Sequence, residues 1–129
     1  MTIFEKIITR EIPAHIIYED DRVISFLTIQ PFAEGHVLVV PKVTVDQLWD
    51  MEDDDYQYLL SVAKMISLHL RKVMAVARVG MIVKGFDVPH THIHLVPIPG
   101  RGTTNLDVDN PPIADDAELA RIAEKISIL

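Results

Sequence analysis

The chain has 129 residues, 49% of them hydrophobic, no cysteine and a formal net charge of −7 at pH 7. This length predicts a single domain over residues 1–129, and the lack of cysteine excludes disulfides, thiol nucleophiles and cysteine-ligated metals. The absence of a Lys/Arg cluster argues against binding to duplex nucleic acid. No apolar run approaches the ~18 residues of a membrane span and no signal-peptide pattern is present, so the expected location is the cytoplasm.

The N-terminal segment predicts a short helix. Thr2 and Glu5 have the spacing of a capping box, in which each side chain bonds the backbone N–H of the other residue. Pro13 is expected to end the helix, because proline interrupts helical hydrogen bonding. The residues expected on its buried side are Ile3, Ile7 and Ile8.

Three strands are predicted next. They cover His15–Tyr18, Val23–Ile29 and Val37–Val40, which are rich in β-branched and aromatic residues. A turn over Glu19–Arg22 separates the first two, and a loop over Gln30–Gly35 separates the second from the third.

A long amphipathic helix is predicted to begin at Asp53. Three consecutive acids stand there, where the helix dipole favours negative charge. Apolar residues then recur at spacings of three and four, which indicates one buried face. The residues of this face are Tyr56, Leu59, Leu60, Ala63, Ile66, Leu70 and Val73.

The last third of the chain predicts two strands and a helix. The strands cover Val79–Val83 and Thr91–Val96, and Pro97, Pro99 and Gly100 are expected to stop the second. A loop over Gly100–Pro112 precedes an amphipathic helix over Asp115–Ile128. Consecutive strands without alternating crossover helices indicate an α+β fold, with helices packed on an antiparallel sheet.

Three histidines alternate with other residues on the last predicted strand. Because side chains on a strand alternate between faces, His90, His92 and His94 are expected to share one face, with neighbouring Cα atoms about 6.6 Å apart. The opposite face, expected in the core, carries Thr91, Ile93 and Leu95.

The spacing alone leaves three interpretations of this row open. Histidines on a strand can bind zinc, although three that span about 13 Å converge poorly on one ion. Alternatively, the central imidazole acts as a nucleophile while its neighbours stabilise charge on a phosphate. The third interpretation is an exposed strand without chemistry.

The chain resembles the histidine triad (HIT) superfamily in several blocks. The segment His90–Val96 follows the pattern of three histidines separated by apolar residues, with only Thr91 departing from it. The upstream blocks that also match are Glu11–Ala14, Tyr18–Asp21, Ser25–Ile29 and Gly35–Lys42.

The resemblance covers about residues 3–98 and leaves residues 100–129 as a C-terminal extension. It implies a five-stranded antiparallel sheet and, as in Hint-like members, a homodimer. It further implies an enzyme that hydrolyses or transfers the nucleoside monophosphate of an AMP derivative, either a phosphoramidate or a dinucleoside polyphosphate, through a nucleotidyl-histidine. The alternatives are a nucleotide-binding sensor or partner module with little turnover, and a metal-binding protein.

The resemblance also assigns roles to individual residues. His92 matches the family nucleophile, His90 would orient it, and His94 would contact the phosphate or the bridging atom. His36 is expected to be structural, and Lys42 to cap its strand or pair with an acid. The residues that match positions lining the base and ribose pocket are Ile12, Phe26, Leu27 and Ile29.

Two departures concern nucleotide binding. Thr28 stands where relatives usually carry the Asp that binds the ribose hydroxyls, so a charged contact is weakened or replaced there. In a shortened loop, Lys84 takes the position of an Asn that relatives carry at the strand end, and Gly85 matches the glycine whose backbone approaches phosphate. Asp87 falls where relatives often carry a Ser or Thr that meets the phosphate or the leaving group. Since a carboxylate repels phosphate, we hypothesise that Lys84 and Asp87 form a compensating pair.

A third departure concerns metals. Many bacterial relatives hold a structural zinc with two cysteines, a further histidine and a triad histidine. Here the non-triad positions are Thr2, Glu5 and Thr44. The resemblance therefore implies no structural zinc and no required cofactor, although Mg²⁺ could accompany a polyphosphate substrate.

Overall fold

The computed structural model describes residues 1–129 as an α+β fold, in the predicted order of helix, three strands, long helix, two strands and helix. None of its helices combines the length and apolar character needed to cross a membrane. A 3₁₀ turn over Leu48–Asp50 precedes the long helix. The other elements are α1 (Ile3–Ile8), β1 (Ile16–Glu19), β2 (Val23–Leu27), β3 (Val37–Pro41), α2 (Asp53–Val73), β4 (Arg78–Ile82), β5 (Ile93–Ile98) and α3 (Asp116–Ile126).

The five strands form one antiparallel sheet in the order β1-β2-β3-β5-β4. Strand β5 begins just after His92 and carries His94, and it lies between β3 and β4. His94 pairs with Leu38 of β3 on one side and with Ile82 of β4 on the other. The sheet therefore holds His94 from both sides, where its backbone has little freedom.

The sheet separates two hydrophobic clusters. The larger cluster of 17 buried residues lies between the sheet and the helices α2 and α3. The smaller one packs Phe4 and Ile7 of α1 against Ile24, Phe26 and Leu38 of the sheet. The histidines lie next to the smaller cluster, because Phe4 of this cluster contacts the rings of His90 and His92.

Helix α1 differs from the prediction at its end and on its buried side. The capping box of Thr2 and Glu5 is present, but the helix ends at Ile8, well before Pro13. Arg10 turns the chain with a positive φ of 66°. Phe4 rather than Ile3 is buried, and Ile3 is 47% exposed.

Strand β5 begins and ends later than predicted. It starts at Ile93 instead of Thr91, and Pro97 lies within it, opposite Val79 of β4. Of the three residues expected to stop the strand, Pro97 does not, and the strand ends at Ile98, directly before Pro99. The last pair of β5 with β3 is Leu95 with Val37, so at Pro97 the strand has only β4 as a neighbour and a missing N–H is tolerated.

Strand β2 ends at Leu27, two residues earlier than predicted, because the chain leaves the sheet after Thr28. The backbone N–H of Thr28 donates to the carbonyl of His36, and the carbonyl of Ile29 accepts from Ala114 in the C-terminal segment. This departure directs Thr28 toward the histidines and attaches the C-terminal segment beside it.

Candidate active site

Two of the three triad histidines lie just before β5 and one lies on it. His90 and His92 are buried in the extended approach to the strand, and His94 is half-buried. The rings of His92 and His94 have centroids 5.0 Å apart, as expected for a shared face. Phe4 packs edge-on against His92 at 4.8 Å and against His90 at 5.8 Å.

His90 is held at both ring nitrogens. Its Nε2 lies 2.8 Å from the carbonyl oxygen of Pro41. Since a carbonyl only accepts, Nε2 carries a hydrogen, and Nδ1 is the acceptor in this tautomer. The hydroxyl of Thr2, 3.0 Å away, donates to this Nδ1 and accepts from the N–H of Glu5 at 3.1 Å. The helix cap thereby also fixes the orientation of His90.

His92 has one nitrogen bound and one free. Its Nδ1–H donates to the carbonyl oxygen of His90 at 2.8 Å, which leaves the lone pair on Nε2 available. Burial lowers the pKa of His92, with Asp87 opposing the shift, so the imidazole is neutral at pH 7. The Nε2 atom is therefore ready to attack without prior loss of a proton.

His94 receives its orientation from His36. The N–H of Phe32 donates to Nδ1 of His36 at 3.0 Å, so Nε2–H of His36 donates to Nδ1 of His94 at 3.0 Å. Burial, with a smaller effect of the neighbouring ring in each case, lowers the pKa to about 3 for His36 and to about 4 for His94. The neutral His94 consequently presents its Nε2–H as a donor.

The role of His36 goes beyond the sequence prediction, which treated it as structural. It is fully buried and stacks on Phe32, with ring centroids 5.2 Å apart and an interplanar angle of 9°. The available signal was its place directly before β3, the strand that pairs with the strand of His94. Lys42 forms the predicted ion pair, with Glu19 at 2.9 Å.

A cavity of about 480 Å³ opens onto His92 and His94. It brings together six of the predicted site residues, which are Thr28, Lys84, Gly85, Asp87, His92 and His94. Its other lining residues are Gln30, Phe32, His36, Phe86, Asp109, Asn110 and Pro111. The wall thus combines hydrogen-bond donors, acceptors and aromatic faces, as small-molecule sites do.

Other predicted residues lie outside this cavity. Phe26 and Leu27 are buried in the two hydrophobic clusters, and Ile12 packs against the smaller one. Ile29 is 57% exposed and does not line the cavity. His90 supports His92 from behind the cavity wall.

Lys84 and Asp87 do not form the hypothesised pair. No ion pair joins them within 4.0 Å, and the ammonium of Lys84 lies 5.6 Å from the ring centroid of Phe32. Gly85 turns the backbone between them with a positive φ of 67°. The two charges act on different histidines, because Lys84 lowers the pKa of His94 whereas Asp87 raises that of His92.

The C-terminal segment supplies wall residues that no sequence motif indicated. The side-chain amide of Gln30 donates to the carbonyl of Pro111 at 3.0 Å, and the N–H of Ala114 donates to the carbonyl of Ile29 at 2.8 Å. These two bonds place Asp109 and Asn110 on the cavity wall.

The residues present do not fit a structural zinc at the N-terminal cap. Thr2 and Glu5, which stand at cysteine positions of zinc-binding relatives, bond each other, and Thr2 bonds His90. Thr44 is exposed and offers only a hydroxyl. No three His, Asp or Glu side chains form an arrangement that could hold a metal ion.

The sheet and the row of histidines match one family of known proteins. The HIT domain family model matches residues 9–100, and the chain belongs to the HIT family. It is 38% identical over 102 residues to an uncharacterized HIT-like protein of Borreliella burgdorferi, covering 74% of this chain and 73% of that protein. It is 36% identical over 105 residues to the purine nucleoside phosphoramidase of Escherichia coli, covering 74% and 85%.

A solved structure resembles almost the whole chain. The Hit-like protein involved in cell-cycle regulation from Bartonella henselae superimposes with a TM-score of 0.86 at 28% identity, covering 97% of this chain and 93% of that one. This agreement confirms the predicted five-stranded antiparallel sheet with its helices.

Proposed function

We propose that this protein is a nucleotide hydrolase or nucleotidyl transferase that attacks the α-phosphate of an AMP derivative through His92. The observation that carries the proposal is the bond from Nδ1–H of His92 to the carbonyl of His90, which leaves Nε2 unprotonated at the wall of the cavity. A neutral imidazole whose other nitrogen is held by the backbone is an activated nucleophile. The E. coli relative named a purine nucleoside phosphoramidase supports a phosphoramidate as the substrate.

The proposed reaction has two balanced steps. In the first, the lone pair of Nε2 of His92 forms a bond to phosphorus, and the bond from phosphorus to the leaving nitrogen or oxygen breaks. The leaving atom keeps the electron pair and takes a proton from water. In the second step, the oxygen of a water molecule or of an acceptor bonds phosphorus, Nε2 recovers its lone pair, and the proton returns to solvent.

The remaining cavity residues stabilise the charge that develops on phosphorus. The Nε2–H of His94 donates to a phosphate oxygen or to the bridging atom, where negative charge grows. Lys84 adds a positive charge at the same wall. A Cβ on Gly85 would lie 3.9 Å from Cε1 of His92, so glycine leaves that edge of the nucleophile open to the phosphate.

The proposed site operates with this chain's residues alone, because neither step requires a bound metal. We further propose that the protein acts in the cytoplasm as a homodimer, as the resemblance implies. These two points depend on the family and not on the geometry of the cavity.

A substrate panel on purified protein tests the proposal. The wild type is expected to cleave an adenosine 5′-phosphoramidate or a dinucleoside polyphosphate, and His92→Asn to lose roughly 10⁴-fold or more of kcat, as removal of a nucleophile does. His15→Asn is a matched control, since His15 bonds Asp116 outside the cavity.

AMP binding, measured by calorimetry, separates the alternatives. Retained AMP binding in His92→Asn assigns the loss to chemistry. A wild type that binds AMP but cleaves no member of the panel would contradict the proposal and favour a sensor or partner module.

A further inference from the structure

A second cavity of about 360 Å³ adjoins the first. Lys84, Gly85, Phe86 and His92 line both cavities. The rest of its wall includes the connection between β3 and α2, with Trp49 on it. The two cavities therefore meet at the imidazole of His92.

Trp49 presents an aromatic face that the fold does not use for packing. Its side chain is 77% exposed, although its neighbours Leu48 and Met51 are buried in the larger hydrophobic cluster. Its ring lies 6.3 Å from that of Tyr56, centroid to centroid. The backbone at Trp49 is thus fixed by buried neighbours while the indole faces solvent.

The segment that carries Trp49 is also attached directly to the histidines. The carbonyl oxygen of Val45 accepts from both the N–H and the hydroxyl of Thr91, each at 2.7 Å. Thr91 lies between His90 and His92. The distance between Trp49 and the nucleophile is therefore set by short hydrogen bonds and a packed core, which makes the second cavity preorganised.

The two cavities suit the two parts of a nucleotide substrate, so this inference rests on the proposed function. Phosphorus at His92 carries a nucleoside and a leaving group. The larger cavity holds polar residues suited to ribose hydroxyls, including Thr28, Gln30 and Asp109. The smaller one adds the apolar side chains of Leu48, Trp49 and Val83, beside the polar Asp46 and Gln47.

We propose that the second cavity binds the leaving group, and that this group carries a planar aromatic ring that stacks on Trp49. In-line attack places the first leaving atom on the side of phosphorus opposite His92. The ring consequently needs a short flexible linker to turn back toward Trp49. An arylethylamine joined to AMP as a phosphoramidate has this shape.

Two substrates that differ only in the leaving ring test the inference. They are the adenosine 5′-phosphoramidates of 2-phenylethylamine and of 2-cyclohexylethylamine, which share the linker but not the planar ring. In Trp49→Ala, the ratio of kcat/KM for the phenyl substrate to kcat/KM for the cyclohexyl substrate should fall roughly 5- to 100-fold, as loss of one aromatic stack does. Trp49→Phe should retain most of the ratio, and Ile113→Ala, which changes an exposed residue outside both cavities, all of it.

Tryptophan fluorescence provides a readout that does not need turnover. Trp49 is the only tryptophan of the chain, so its emission reports on this cavity alone. Added to His92→Asn, the phenyl compound should change the emission while AMP alone should not. A phenyl compound that leaves the emission unchanged would overturn the inference.

The kinetic outcomes separate this inference from the proposed function. A wild type that cleaves neither phosphoramidate counts against the phosphoramidase activity. The change in Trp49 emission on addition of the phenyl compound then tests separately whether the second cavity binds the aromatic ring. A wild type that cleaves both, with the same ratio in Trp49→Ala, refutes only the aromatic leaving group.

Discussion

Substitution of Thr2 tests whether one hydroxyl both caps a helix and orients a buried histidine. In Thr2→Val the N-cap acceptor is lost, which costs about 0.5–2 kcal/mol. The fully buried Nδ1 of His90 also loses its donor, at about 1–3 kcal/mol. The two costs together amount to about 1.5–5 kcal/mol. Because Thr2 itself is only half-buried, we expect a loss in the lower half of this combined range, at about 1.5–3 kcal/mol.

Two further variants separate the contributions of Thr2. Thr2→Ser keeps both hydrogen bonds and should unfold like the wild type. Thr2→Gly keeps most of the cap, at a cost of only a few tenths of a kcal/mol, but has no hydroxyl, so it should lose mainly the His90 contribution. The free energy of unfolding is measured with urea at pH 7. A value for Thr2→Val within about 0.5 kcal/mol of the wild type, the usual range for surface substitutions, would refute the double role.

Two more predictions concern the pair His36 and His94. His36→Leu removes the donor to His94 and should lower kcat roughly 10-fold, equivalent to about 1.4 kcal/mol, with little change in KM. His36→Gln, whose amide can donate from a similar position, should restore much of the lost kcat. A kcat of His36→Leu equal to that of the wild type would contradict the positioning role. The folded protein holds both pKa values well below 6.5, so the unfolded chain binds more protons at acidic pH. The free energy of unfolding should therefore be constant above pH 7 and fall from about pH 6.5 towards pH 3. A free energy of unfolding in urea that does not change with pH across this window would show that the histidines are not buried in the neutral form.

The order of elements and the shared face of His92 and His94 could be predicted because they follow from local patterns. Apolar spacing predicted the α2 face, and the capping box predicted the start of α1. The histidine row predicted His92 and His94 on one cavity wall. Element ends were less predictable, since Pro97 is tolerated in β5 only because its partner strand β3 has already ended.

The side-chain partners of His90 and His94 could not be predicted, because they are distant in sequence. His36 reaches His94 across 58 residues, and Thr2 reaches His90 across 88. The expected Lys84–Asp87 ion pair is absent, and the ammonium of Lys84 lies over the ring of Phe32, 52 residues away in sequence. Such contacts depend on sheet register and loop geometry, which no spacing rule specifies.

The triad is anchored mostly by the main chain, and this limits what side-chain substitution can reveal. Nε2–H of His90 binds the carbonyl of Pro41, Nδ1–H of His92 binds a carbonyl, and His36 accepts from the N–H of Phe32. An alanine scan leaves all three groups in place and would report few supporting residues. Replacement of a single peptide bond by an ester removes an N–H or weakens a carbonyl acceptor. Such replacements would test the main-chain groups that hold the histidines.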